Sequence, residues 1–341
     1  MDKDKQIETT TATAYEPDLA LTDGSQVPTV HRLSGLADDS GDVLLSVSGL
    51  SVVFRMYDRG FTQRDLKVIS NLNINVTAGE VHAVAGSSGS GKSLLAHAIL
   101  GILPRNATVE GQINYAGEAL NEQRLRRLRG REIALVPQSV DYLDPLMRVG
   151  RQVSRDRSAV EKVFSRYRLD MAVASLFPHQ LSGGMMRRVL CATAVVGGAR
   201  LIIADEPTPG MSKDLADRAM KHFRDLADEG AAVMLITHDI DLALAYADRI
   251  SVFYAGTTVE TALASDFDSE HTLRHPYTKA LWRALPRNGF QPTNGFQPAS
   301  GELPEGCCFA DRCQMRSDAC LRDSIQPRHL RGGEVSCLYA T

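Results

Sequence analysis

Gly86-Ser87-Ser88-Gly89-Ser90-Gly91-Lys92-Ser93 follows a short apolar run at 81–85. It opens onto a stretch whose apolar residues Leu95, Ala98, Ile99, Ile102 and Leu103 recur at helical spacing. Strand, glycine-rich turn and helix is the context a phosphate-binding loop requires. Glycines let successive backbone N–H groups turn inward around anionic oxygens, and the helix N-terminus adds its dipole. Lys92 then reaches the β- and γ-phosphates, and the Ser93 hydroxyl is a Mg²⁺ ligand. The competing reading, a glycine-rich surface turn with a chance lysine, does not explain the strand before and the helix after. The stretch implies a nucleoside triphosphate site in an α/β core.

Downstream, apolar strands end in polar groups. Ile133-Ala-Leu-Val-Pro137 is a buried strand that leads to Gln138, and the polar, mostly helical region from there to Ser182 looks like an inserted helical subdomain. Leu181-Ser182-Gly183-Gly184-Met185 precedes a helical run through Val196. Leu201-Ile202-Ile203-Ala204 reads as a strand buried on both faces, as in the middle of a parallel sheet, and it ends in Asp205 and Glu206. Such sheets place ligands at the C-terminal ends of their strands. That puts Asp205 in a Mg²⁺ shell and Glu206 beside an attacking water, with helix capping as the plainer alternative. A helix over about 213–229 leads to the strand beginning at Ala232, which brings His238 to the same edge, within reach of a γ-phosphate. The run 250–254 is expected to close the core, with a hairpin-like segment to Glu260.

Upstream, the runs 43–54 and 66–76 carry strand-like residues and suggest an antiparallel β-subdomain beside the nucleotide core. Tyr57 and Phe61 lie between them, and each suits either stacking on an adenine or ordinary loop packing. A strand at 112–115 precedes a basic helix containing Arg124, Arg126, Arg127, Arg129 and Arg131, which reads as a solvated face diluted by nearby acids. Residues 1 to about 42 are rich in Thr, Asp, Ser and Gly without periodicity and read as a flexible tail.

With 341 residues, 43% of them apolar and 23% charged, the chain has room for a large core and an accessory unit. A net charge of −3 gives no electrostatic reason to expect nucleic acid as a partner. No apolar stretch approaches the ~18–20 residues that span a bilayer. The start, Met-Asp-Lys-Asp-Lys, lacks the order of a secretory signal, so a cytosolic chain is expected, free to dock on a membrane protein. Five of the six cysteines fall between positions 307 and 337, which in a reducing compartment favours ligation over disulfides.

Together these residues resemble the nucleotide-binding subunits of ATP-binding cassette transporters, from about position 43 to 264 and on into the tail. In that resemblance 86–93 is the phosphate loop, Gln138 the Q-loop glutamine beside Mg²⁺, and 181–184 the signature motif. Asp205 and Glu206 end the second Walker motif, Glu206 being the catalytic glutamate, and His238 is the switch histidine. The resemblance implies a P-loop NTPase cassette core at 43–264, with an antiparallel β-subdomain and an inserted helical subdomain at about 139–185. A flexible tail at 1–42 and a Cys-containing C-terminal extension at 265–341 complete the expected division. It implies ATP and Mg²⁺, hydrolysis at this chain's own site, and a homologous or identical ATP-binding subunit whose phosphate loop faces Ser182, Gly183 and Gly184. It further implies two transmembrane permease subunits, an extracellular solute-binding protein acting indirectly, and a peripheral place on the cytoplasmic face of the cell membrane.

Finer features are similar to the oligopeptide, dipeptide and nickel uptake group, so peptides, nickel or a metal chelate are the expected cargo. They are Met185, the segment His275-Pro276-Tyr277-Thr278-Lys279-Ala280-Leu281, and Gly306-Cys307 with Phe309, Arg312-Cys313, Cys320 and Cys337. Between these hallmarks Asn288-Gly-Phe-Gln-Pro292 recurs as Asn294-Gly-Phe-Gln-Pro298, expected to be a structured surface loop. Pro209-Gly210-Met211-Ser212 departs from the family by lacking the D-loop aspartate, which bears on coupling between two ATP sites. Cys307, Cys313, Cys320 and Cys337 either hold an iron–sulfur cluster or zinc, or are four reduced thiols in a packed tail, with Cys308 a spare. Two rival functions stand beside transport. One is a soluble cassette acting on ribosomes or DNA, which usually carries two cassettes or a long coiled-coil insertion. The other is a regulatory subunit that binds ATP with little turnover.

Overall fold

A computed structural model describes residues 42–57, 62–299, 303–322 and 325–341. The expectations for 1–41 and for Phe61 lie outside the described residues.

The chain runs β1 (Val43–Tyr57), β2 (Gln63–Thr77), β3 (Val81–Gly86), α1 (Lys92–Leu100), β4 (Ala107–Tyr115), β5 (Glu118–Ala119), α2 (Glu122–Leu128) and β6 (Ile133–Val136). A helical stretch follows, α3 (Val149–Val153), α4 (Arg157–Arg166) and α5 (Gly183–Val195). Strands and helices then alternate as β7 (Leu201–Asp205), α6 (Lys213–Asp228), β8 (Ala232–Thr237), α7 (Ile240–Tyr246), β9 (Arg249–Tyr254) and β10 (Thr257–Leu263). The tail adds α8 (Pro276–Ala284), α9 (Ala319–Arg322), β11 (Arg328–Leu330) and β12 (Gly333–Val335).

Two sheets result. The smaller is antiparallel in the order β2-β1-β4-β5. The larger runs β11-β12-β10-β9-β3-β8-β7-β6, parallel from β9 to β6 and antiparallel on the tail side. β7 shows why the middle strands read as unbroken apolar runs. Ile202 and Ala204 face one core with α5 and α6, while Leu201 and Ile203 face another with α1 and the antiparallel sheet. Truncating one such buried side chain to alanine costs about 2–5 kcal/mol.

The structure departs from the sequence expectations at three points. α1 stops at Gly101, which caps it in the left-handed region at φ 60°. Ile102 and Leu103 therefore lie past the helix, although they still pack on the core that Leu95 and Ile99 enter. α2 ends at Leu128, so Arg129 and Arg131 leave the basic helix. Nor does β9 close the core: β10 pairs with it, and the tail hairpin β11–β12 continues the same sheet. Strands of three residues are too short for alternation to reveal them.

Candidate active site

β3, β8 and β7 are neighbours in the parallel sheet, so their C-terminal ends bring three groups to one edge. These are the phosphate loop, His238, and the pair Asp205 and Glu206. The loop has the shape its glycines demand. A Cβ on Gly86 would lie 2.2 Å from the Phe253 carbonyl oxygen, and Gly91, the N-cap of α1, has φ 102°. Ser87, Ser88 and Gly89 form an exposed rim, while Ser90 and Lys92 are buried beneath it. Lys92 Nζ donates to the Gly86 carbonyl at 2.9 Å and the Ser87 carbonyl at 2.8 Å. Ser90 Oγ also donates to the Ser87 carbonyl, at 2.8 Å. Burial pushes the Lys92 ammonium below its ordinary pKa, opposed by Glu206 and Asp205 nearby.

Asp205 is 2% exposed, and its Oδ1 has no hydrogen-bond partner. Burial raises its carboxyl pKa, against a hydrogen bond with Ser93 that lowers it; Glu206 raises it further, while His97 and Lys92 lower it. An orphaned buried carboxylate oxygen beside a serine hydroxyl is a hard oxygen set that suits Mg²⁺, which binds through one or two carboxylates plus phosphates and water. The residues fit the ion that the phosphate loop requires.

Glu206 has φ 47°, a left-handed conformation that a glutamate adopts only under constraint. The constraint is visible: its backbone N–H donates to the Ile236 carbonyl at 2.9 Å, across to β8. Its Oε1 accepts from the His238 backbone N–H at 3.0 Å and lies 2.7 Å from His238 Nδ1. A carboxylate acceptor there places the ring proton on Nδ1 and leaves Nε2 as the free nitrogen of a half-exposed ring.

Of the remaining sequence candidates, Gln138 follows β6, the parallel neighbour of β7, and so stands at the same edge, while Ser182, Gly183, Gly184 and Tyr57 lie on other elements. Gln138 is exposed just after β6. Ser182 and Gly183 are exposed at the start of α5, where the Ser182 side chain caps the helix by accepting from Met185 N–H at 3.3 Å. Among the described residues no hydrogen bond links 182–184 to the phosphate loop. Tyr57 is 71% exposed at the end of β1. Arg187, which sequence did not single out, connects these parts. Buried on α5, its Nη1 donates to the Pro137 carbonyl at 2.9 Å, tying the signature helix to the residue before Gln138.

Residues 69–209 match the ABC transporter family, and 259–320 match the oligopeptide/dipeptide transporter C-terminal region. A putative peptide import ATP-binding protein of Brucella abortus is 34% identical over 319 residues, covering 86% of this chain and 93% of that relative. The chain belongs to the ATP-binding cassette family. This cassette is also 33% identical to the oligopeptide transport ATP-binding protein OppD of Escherichia coli, over 84% of its own length and 90% of OppD. Among solved structures it is similar to the dimeric post-hydrolysis state of the cassette MJ0796 bound to ADP and Pi. That likeness has a TM-score of 0.58 and 25% identity, covering 65% of this chain and 99% of that one. The cassette is an ATPase, with the mixed α/β P-loop fold of its family.

The altered D-loop of this cassette has a definite seat. Gly210 has φ 79°, and a Cβ on Gly184 would come 2.8 Å from the Gly210 carbonyl oxygen, so the D-loop backbone rests on the signature helix. Of the two readings of the tail cysteines, the metal centre gains no support. Cys307, Cys313, Cys320 and Cys337 do line one small cavity, with His275 and Phe309. Yet among the described residues no three His, Cys, Asp or Glu side chains are placed to hold a metal ion. Burial pushes the Cys307 thiol up to about 12 and raises Cys308, Cys313 and Cys337. A bound metal deprotonates its own thiols, so these shifts belong to the metal-free tail; the structure lends an iron–sulfur cluster or zinc no support, and no step is assigned to either.

Proposed function

We propose that the chain is the ATP-hydrolysing subunit of a peptide uptake transporter, peripheral to the cytoplasmic face of the cell membrane. One observation carries the site reading: Lys92, Asp205 with its unpaired oxygen, and the Glu206–His238 pair converge at the ends of three adjacent strands. Of the relatives named above, one is called a putative peptide import ATP-binding protein and the other an oligopeptide transport ATP-binding protein, which supports peptide as the cargo.

In this reading Lys92 exchanges the carbonyls of Gly86 and Ser87 for the β- and γ-phosphates, while the backbone N–H groups of 86–93 line the cradle. Ser93 and Asp205 would hold Mg²⁺, with Gln138 approaching the same shell. The ion supplies charge neutralisation on the phosphates. Glu206 orients the attacking water, and His238 holds the Glu206 carboxylate through its backbone N–H and Nδ1; a contact from Nε2 to a γ-phosphate oxygen needs a proton on Nε2 as well, since that oxygen is an acceptor. Ser182 and Gly183, exposed at a helix N-terminus, face the nucleotide of a homologous or identical partner subunit. Exposed Tyr142, Leu146 and Met147 follow Gln138 closely and give two permease subunits an apolar surface beside the element that senses nucleotide. A solute-binding protein delivers cargo outside. The division at 42/43 and 264/265 is retained as part of the proposal.

Glu206→Gln is the direct test. It is expected to bind ATP with wild-type affinity and to hydrolyse it about 10²- to 10⁴-fold more slowly, the range for losing a positioned acid–base group. Full turnover in that variant overturns the role of Glu206. Uptake of labelled peptide by vesicles carrying the purified complex tests the cargo.

A further inference from the structure

The repeated pentapeptide of the tail occupies two different environments. In the first copy the Gln291 backbone N–H donates to the Arg283 carbonyl at 2.9 Å, turning the chain in against α8. In the second copy Gln297 Oε1 accepts a hydrogen bond from Ser87 Oγ at 2.7 Å, across 210 positions of sequence. Ser87 is a rim residue of the phosphate loop.

The loop that carries Gln297 is anchored. Arg312 Nε donates to the Asn294 carbonyl at 3.0 Å and Nη2 to the Thr293 carbonyl at 3.1 Å. Its Nη1 donates to the Tyr254 hydroxyl, on β9, at 3.1 Å. The guanidinium also lies 5.6 Å from the centre of the Phe309 ring and 5.9 Å from that of Tyr254. Tyr254 in turn packs on Tyr277 with ring centres 4.3 Å apart. The loop that reaches this serine is thus held by an aromatic cluster seated on the central sheet. That serine is also the residue whose carbonyl receives both Lys92 Nζ and Ser90 Oγ.

We propose that Gln297 is a positioning residue for ATP binding: through Ser87 it fixes the phosphate loop as an open cradle, so the tail sets the affinity of the site. The inference rests on reading 86–93 as the ATP site. It adds that this site is completed from within the chain by a residue more than two hundred positions away. Preorganisation raises affinity by removing the cost of ordering the loop when the ligand arrives.

Steady-state ATPase kinetics and equilibrium ATP binding on the full chain test it. Gln297→Ala is expected to raise KM and Kd for ATP roughly threefold to tenfold, the worth of one neutral hydrogen bond, with kcat within about twofold of wild type. Ser87→Ala should do the same, and the double variant should be no worse than the worse single one, because both remove the same bond. Ser87→Thr keeps the hydroxyl and should recover most of the affinity lost in Ser87→Ala. Phe296→Ala changes an exposed side chain of the same loop and should leave KM unaltered. A wild-type KM in Gln297→Ala, or additive effects in the double variant, overturns the proposal. Lys92→Ala separates the two readings: retained ATP binding there defeats the site itself, whereas lost binding there beside an unaffected Gln297→Ala defeats only the role of Gln297.

Discussion

His275 is 1% exposed at the N-terminus of α8, where its Nδ1 accepts from the Tyr277 backbone N–H at 3.0 Å. Its Nε2 is buried without a partner. Burial pushes its pKa down to about 3. His222, packed on Tyr167 with Nδ1 2.9 Å from the hydroxyl, is pushed down to about 4 by burial and then by Arg166, against Asp225. An unfolded histidine titrates near 6.5. Above that value both states are neutral and neither group affects stability. Between about 6.5 and 4 the unfolded chain binds protons the folded one refuses, so stability falls as pH falls. Thermal melts of the wild type should show Tm declining through that window, and His222→Gln should flatten part of the slope; an unchanged slope defeats the assignment. Little of this was visible in sequence, because a histidine shows neither its burial nor its partner. Asp205 and Glu206 were visible, since a strand of four apolar residues announces where it ends. The left-handed turn at Glu206 was not, because nothing in Asp-Glu-Pro specifies a positive φ.

The element that joins tail to core is an ion network. Glu260 on β10, fully buried, accepts from the backbone N–H of Arg274 at 3.0 Å and of His275 at 2.8 Å, and from Arg274 Nη1 at 3.1 Å. Arg274 Nη1 also pairs with Asp266 at 2.9 Å, and its Nε donates to the Leu330 carbonyl at 2.6 Å. Removing one member strands a buried charge. Arg274→Ala is therefore expected to lose about 3–5 kcal/mol in urea unfolding, and Arg274→Met with Glu260→Gln to recover much of it. Recovery would show that the charges are tolerated for the geometry they impose; no loss in the single variant would remove the network from the account. Sequence marked 275–281 only as a family hallmark and did not assign α8, whose first turn holds Pro276. It did not show the network, whose members are separated by 8, 14 and 56 positions. α5 was expected as the helical run that follows 181–185, while the reach of Arg187 to Pro137 depends on tertiary contact alone.

Over the whole molecule, the parallel core was legible because strands buried on both faces are written as apolar runs, and the candidate site was legible because the runs of β6, β7 and β8 each lead to a candidate residue. The route of the tail was not. β12 pairs with β10 through Glu260 opposite Val335 and Thr261 opposite Glu334, and β11 forms the outer rim. The hairpin thereby occupies a row of backbone donors and acceptors that β10 would otherwise present to solvent. An uncovered edge of that kind templates pairing between chains. A chain ended after position 264 should elute from size exclusion as aggregate, where a monomeric, ATP-binding product would show that β10 needs no cover. The short, charged outer strand Arg328–Leu330 is then the device that keeps neighbouring copies of this protein from adding strand to strand.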